Sequence, residues 1–186
     1  GGLPWATLTP ALFIPIVGNV LVPLAGVPLG QVAWSAAQFG VGLLFWPVVT
    51  ILIGVRIATS GLWPDRLRPM SFILIAPPAV VALSALQFGA PPLVAWALWG
   101  MAMFSAAWVG LQAKAIAALP FGLPHWGLSF PLAALTVATL TMADLSGLPA
   151  FRVLGAALVL GTSGVIALLA GLTVRAALRG EICRAE

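Results

Sequence analysis

Six runs of this chain, residues 10–26, 32–55, 71–89, 93–112, 123–143 and 153–174, are long and apolar enough to cross a bilayer. A hydrocarbon core of about 30 Å takes about 20 such residues in a helix. Within it every backbone polar group must find its partner in protein, which leaves helices or closed barrels. Runs of this length read as helices. Turn signals separate them: Val27-Pro28-Leu29-Gly30, residues 59–69, Pro91-Pro92, 120–124 and 146–149. The expected fold is therefore all-α and polytopic, six transmembrane helices in three hairpins. No remaining stretch is long enough for a soluble unit, so residues 1–186 read as a single transmembrane domain.

Composition agrees, with 62% hydrophobic and 6% charged residues against about a quarter charged in soluble domains. Eight Lys and Arg against four Asp and Glu make the chain basic, but they are scattered between apolar runs and form no patch for nucleic acid. One cysteine, Cys183, and one histidine, His125, cannot build an internal disulfide or a zinc set of the usual spacing. No cofactor is called for. The chain opens Gly1-Gly2 with no secretory signal pattern, as a piece of a longer protein would.

Basic residues collect on the cytoplasmic side of membrane proteins. Counted on alternate sides, Arg56, Arg66, Arg68, Lys114, Arg175, Arg179 and Arg184 oppose Arg152 alone. The start of the first span, the loop 59–69, the turn 120–124 and the C-terminus with Cys183 are therefore expected in the cytoplasm, in a bacterial inner membrane.

The odd-numbered spans carry proline in the runs Phe13-Ile14-Pro15 (with Pro23), Ile75-Ala76-Pro77-Pro78 and Ser129-Phe130-Pro131. The second span has Pro47, and the fourth and sixth have none. Proline within a helix kinks it and frees a carbonyl, so the odd helices are expected indoors around a shared axis, with the even ones outside. On a helical wheel Phe130 shares a face with Ala133, Ala134, Val137 and Thr141, while Leu128, Leu132 and Leu135 fall opposite. One large ring on a small face is a candidate plug.

Polar residues within the spans also favour the odd helices. Asn19 shares a stripe with Pro15, Val22 and Gly26; Ser84 and Gln87 align with Val80; Thr136, Thr139 and Thr141 follow the fifth span. Interhelical hydrogen bonding is their ordinary use, and Asn19 is the clearest structural case. No ionisable residue lies mid-span, whereas pumps and proton-coupled carriers keep such groups at depth. A path lined by small and hydroxyl groups suits a channel; arginines at its cytoplasmic mouth favour anions, while carbonyls freed by proline argue the other way. His125, Trp126 and the tryptophans 5, 63, 96, 99 and 108 fit interfacial anchoring. Asp144 and Arg152 read as a solvated pair, and no nucleophile with a base, acid pair or metal set supports an enzyme.

Four segments in order, Thr9-Pro10-Ala11-Leu12-Phe13-Ile14-Pro15-Ile16-Val17-Gly18-Asn19, Phe45-Trp46-Pro47-Val48, Leu67-Arg68-Pro69 with Leu74-Ile75-Ala76-Pro77-Pro78, and Trp126-Gly127-Leu128-Ser129-Phe130-Pro131-Leu132-Ala133, resemble the TehA-type tellurite-resistance and C4-dicarboxylate transporter family, which includes the plant slow anion channels. The resemblance implies a ten-helix, five-hairpin pore fold, often trimeric, of which these spans would be the last six helices and the first two hairpins would be missing. It implies an anion channel or facilitator gated by Phe130. The lining expected from spacing and resemblance together is Pro15, Asn19, Pro77, Val80, Ser84, Gln87, Pro131, Ala133, Ala134, Val137 and Thr141. The partners would be small inorganic or organic anions and the lipid bilayer. A coupled carrier of dicarboxylate or tellurite oxyanions, or a non-conducting truncated fragment, are the alternatives.

Overall fold

A computed structural model describes residues 5–180; Cys183 and Arg184 lie outside the described residues. Seven α-helices occur among them: α1 (Phe13–Gly26), α2 (Val32–Ser60), α3 (Ala76–Gln87), α4 (Pro92–Gly110), the short α5 (Ala113–Ala117), α6 (Ser129–Ser146) and α7 (Pro149–Leu178). The chain is an all-helical membrane protein. Five long apolar spans, Val32–Ser60, Asp65–Gln87, Pro92–Gly110, Leu123–Ser146 and Pro149–Leu178, are joined by a shorter apolar helix, Pro10–Gly26.

Neighbouring helices pair as α1 with α2, α3 with α4 and α6 with α7, and α3 stands between α1 and α6. In their most apolar stretch, 78% of Asp65–Gln87 and 44% of Leu123–Ser146 is buried in protein, against 22% or less for α2, α4 and α7. Lipid is as apolar as leucine, so the outer helices can leave Leu44, Phe104 and Leu160 exposed. Packing among the inner ones relies on small residues. Ala76, Ala79 and Ala82 of α3, Ala102 of α4 and Ala138 of α6 have no exposed surface, which lets backbones approach closely. Each outer hairpin adds a glycine at its crossing. A Cβ on Gly42 would stand 2.4 Å from Val20, and one on Gly155 would stand 2.5 Å from Leu140.

Proline acts differently from expectation. Each inner span enters through 3-10 turns, Pro10–Leu12, Asp65–Ile75 and Leu123–Leu128, before the α-helix begins. Pro15, Pro77 and Pro131 therefore fall in the first α-helical turn, where no backbone N–H is needed and a fixed φ helps the helix start. They mark a change of helix type within the apolar run and lie outside the α-helical interior. Pro23 in α1 and Pro47 in α2 are the interior cases.

Side-chain hydrogen bonds fasten the bundle at depth. Ser84 Oγ donates to Val20 O (2.6 Å), linking α3 to α1. Trp99 Nε1 donates to Thr139 Oγ1 (3.0 Å), linking α4 to α6. Trp126 Nε1 donates to Thr173 Oγ1 (2.9 Å), tying the lead into α6 to α7. Trp126, half-buried, thus fastens the lead into α6 to its outer partner.

Candidate functional site

Phe130 is the second residue of α6, and 41% of it is exposed. A helix repeats its face every three or four residues, and the stripe continuing from Phe130 is the open one. Val137 is exposed, and Ala133 and Thr141 are half-buried. Of the bulky residues expected on the far side, Leu135 is buried, while Leu128 and Leu132 are half-buried and pack against the core. Ala134 leaves the expected face and packs into the core.

The Phe130 side chain borders a cavity of about 440 Å³ whose opposite wall is α1, through Ile14, Val17, Gly18 and Leu21. Met70 and Ile73 of one 3-10 segment, with Trp126 and Gly127 of another, line it as well, and it stays open on one side. The two segments meet tightly: a Cβ on Gly127 would stand 3.2 Å from Met70 Cα. The Trp126 N–H is already engaged with Thr173, so the side chains of the wall offer an anion little to bind and exclude water by their character.

The other expected lining residues are distributed among four settings. Pro131 borders the same cavity. Pro77, Val80 and Ser84 are buried between helices, since α3 has neighbours all round and Ser84 is held by Val20; Gln87 stands exposed at the helix end. Pro15 and Asn19 face α2, in a separate pocket with Val41, Gly42 and Phe45. Asn19 Nδ2 donates to Pro15 O (2.8 Å) within its own helix. Thr141 likewise donates to Val137 O (3.0 Å). The face that α1 turns toward Phe130 is Ile14, Gly18 and Leu21, an apolar face that a search for polar stripes passes over.

Arg56 was also overlooked as anything more than a loop cation. Helix α2 continues to Ser60 and carries it inside, 2% exposed. Its guanidinium lies 5.1 Å from the centre of the Trp63 ring and donates to Gly61 O, while Nε has no partner. Trp63, expected at an interface, is buried and donates to Leu8 O (3.0 Å). A cation suits a helix C-terminus, so Arg56 closes the end of α2. The buried Trp63 two residues past a positive-φ glycine, Gly61, was the signal available.

The antiparallel hairpins place Arg66, Arg68, Lys114 and Arg175 at this same end of the bundle. Arg68 pairs with Asp65 at 2.6 Å. At the opposite end, the expected Asp144 and Arg152 pair does not form, and both side chains are exposed. In water such a pair contributes little, so nothing holds it together. His125 Nδ1 sits 3.0 Å from Gly122 O and 3.2 Å from Gly122 N, which ties the ring to its own turn.

A family model described as "SLAC1: Voltage-dependent anion channel" matches residues 2–174. A curated relative, the S-type anion channel SLAH2 of Arabidopsis thaliana, is 25% identical over 136 residues, covering 73% of this chain and 26% of that protein. The chain spans about a quarter of the length of the curated relative it matches.

Proposed function

Since this chain belongs to the SLAC1 voltage-dependent anion channel family, we propose that it supplies the last three hairpins of a ten-helix, anion-conducting membrane protein whose passage Phe130 closes. The observation that carries this reading is the placement of one exposed aromatic ring on the open face of α6, across a cavity from the apolar face of α1. An ion passing such a ring would lose hydration with nothing to replace it. The same ring turned aside leaves Ala133, Val137 and Thr141 along the path. The lining proposed is thus narrower than the polar stripes suggested.

The spans hold no acid or base at mid-depth of the kind that coupled carriers use, which supports a conductive route. The arginine-rich end is assigned to the cytoplasm by its charge, and the resemblance supports a homotrimer.

The test is electrical. Expressed from its complete gene and reconstituted in planar bilayers, Phe130→Ala should raise chloride current about ten-fold or more, the change expected when a barrier of about 1.4 kcal/mol is removed. A reversal potential following chloride and not potassium should accompany it. Unchanged current would overturn the gate. Saturable uptake that depends on a proton gradient would instead support a coupled oxyanion carrier.

A further inference from the structure

We propose that the cavity beside Phe130 is the seat into which its ring turns when the passage opens, and that Gly18 keeps that seat free. The inference rests on the gate reading above and adds to it a residue on another helix. Gly18 lies within α1 and on the cavity wall. A Cβ built there meets no atom within 4 Å. The packed glycines Gly42 and Gly155 have neighbours at 2.4 and 2.5 Å, so close helix crossing explains them. Gly54, Gly100 and Gly164 stand in open space as Gly18 does, but of these Gly18 alone borders the Phe130 cavity. Glycine is also a poor residue for a helix interior. What its smallness provides at position 18 is room opposite an aromatic side chain.

The cavity suits that occupant. At about 440 Å³ it exceeds the roughly 150 Å³ in which an apolar site can hold a benzene molecule. Its side chains are apolar, so a benzyl group is accommodated without stranding a polar partner and a hydrated anion is not. The floor is firm, because Gly127 packs directly on the Met70 backbone. Ala133, one turn along α6 and half-buried, leaves the ring space to pivot.

The experiment is a set of four proteins from the complete gene, compared in planar bilayers: wild type, Gly18→Leu, Phe130→Ala and the double variant. A leucine at position 18 should fill the seat and lower chloride current about ten-fold relative to wild type. In the Phe130→Ala background the same leucine should change little, because no ring remains to be seated. Equal inhibition in both backgrounds would mean that the introduced leucine obstructs the passage itself, and would overturn the inference. No inhibition in either would overturn it as well. If Phe130→Ala fails to raise current, the gate reading fails first, which is a separate result. Should Gly18→Leu not assemble, Gly18→Ala and Gly18→Val provide a graded series, and Met70→Trp fills the seat from the other wall. Current that declines with added volume supports the seat, and current insensitive to volume excludes it.

Discussion

Helices α3 and α6 are written in nearly the same grammar and end in different roles. Both follow 3-10 turns, both place proline in the first α-helical turn, and both carry hydroxyls among alanines. Yet α3 is buried from Ala76 through Ala82 without a break, whereas α6 keeps one exposed stripe led by Phe130. The difference comes from neighbours. Helix α3 is surrounded by α1, α4 and α6, while α6 packs on α3, α4 and α7 and leaves a sector open. Small residues in a membrane helix can therefore mean two things: close backbone contact on a surrounded helix, or free space on an open one.

The contrast is sharpest for overpacking. Ala79 has no exposed surface and sits among Val17, Val20 and Ala102 in the core, so Ala79→Phe has no space to occupy. Inserting a few methylenes into a packed core costs about 1–3 kcal/mol, and a whole ring should exceed that. The expected outcome is loss of the monodisperse species on size exclusion in detergent. Ala133→Phe, on the open stripe below Phe130, should purify normally and conduct less. Equal yields for the two variants would break the distinction between a surrounded helix and an open one.

Hydroxyls should separate the same way with a smaller effect. Ser84 is fully buried and ties α3 to α1. Its replacement by alanine should cost about 1 kcal/mol, the range of interhelical hydrogen bonds in membranes. Thr141 bonds only to its own helix, so Thr141→Ala should leave stability within about 0.5 kcal/mol of wild type. Reversible unfolding in mixed micelles reads both. A larger loss at Thr141 than at Ser84 would reverse the assignment of tie and lining.

Much of this architecture was legible because length and turn residues limit a membrane helix so strongly. The first run forms a shorter apolar helix, Pro10–Gly26, beside five long ones, and the pairing into hairpins follows from short connections. Helix ends were less legible. Helix α2 runs to Ser60 since Arg56 can be buried against Trp63, and α7 extends through Pro149–Leu178 because water beyond the bilayer still permits helix. Facing was harder still. Hydropathy cannot distinguish lipid from protein as a neighbour, and polar groups at depth seek partners in helix contacts. Ser84 and Thr139 were therefore spent on ties, and Asn19 turned toward α2, while apolar Ile14, Gly18 and Leu21 met the Phe130 cavity. Proline had two readings, a kink or a first turn. Only the preceding 3-10 segments decide between them.

The finest distinction concerns Thr136 and Thr162, whose hydroxyls lie 3.1 Å apart between α6 and α7. Thr136 already donates to Leu132 O at 2.7 Å, so Thr162 must supply the proton of the shared bond. Thr136→Val removes the acceptor, but the Thr162 hydroxyl can rotate to a carbonyl one turn earlier in its own helix, a common recourse for threonine. Thr162→Val leaves the Thr136 bond to Leu132 intact. Each single loss should therefore be small, and the double variant should lose little more than either alone. A double-mutant cycle should report coupling of about 0.6 kcal/mol, the average found for such pairs in membranes. Coupling indistinguishable from zero would make the hydroxyl contact incidental, and would leave the tying role to Ser84, Trp99 and Trp126.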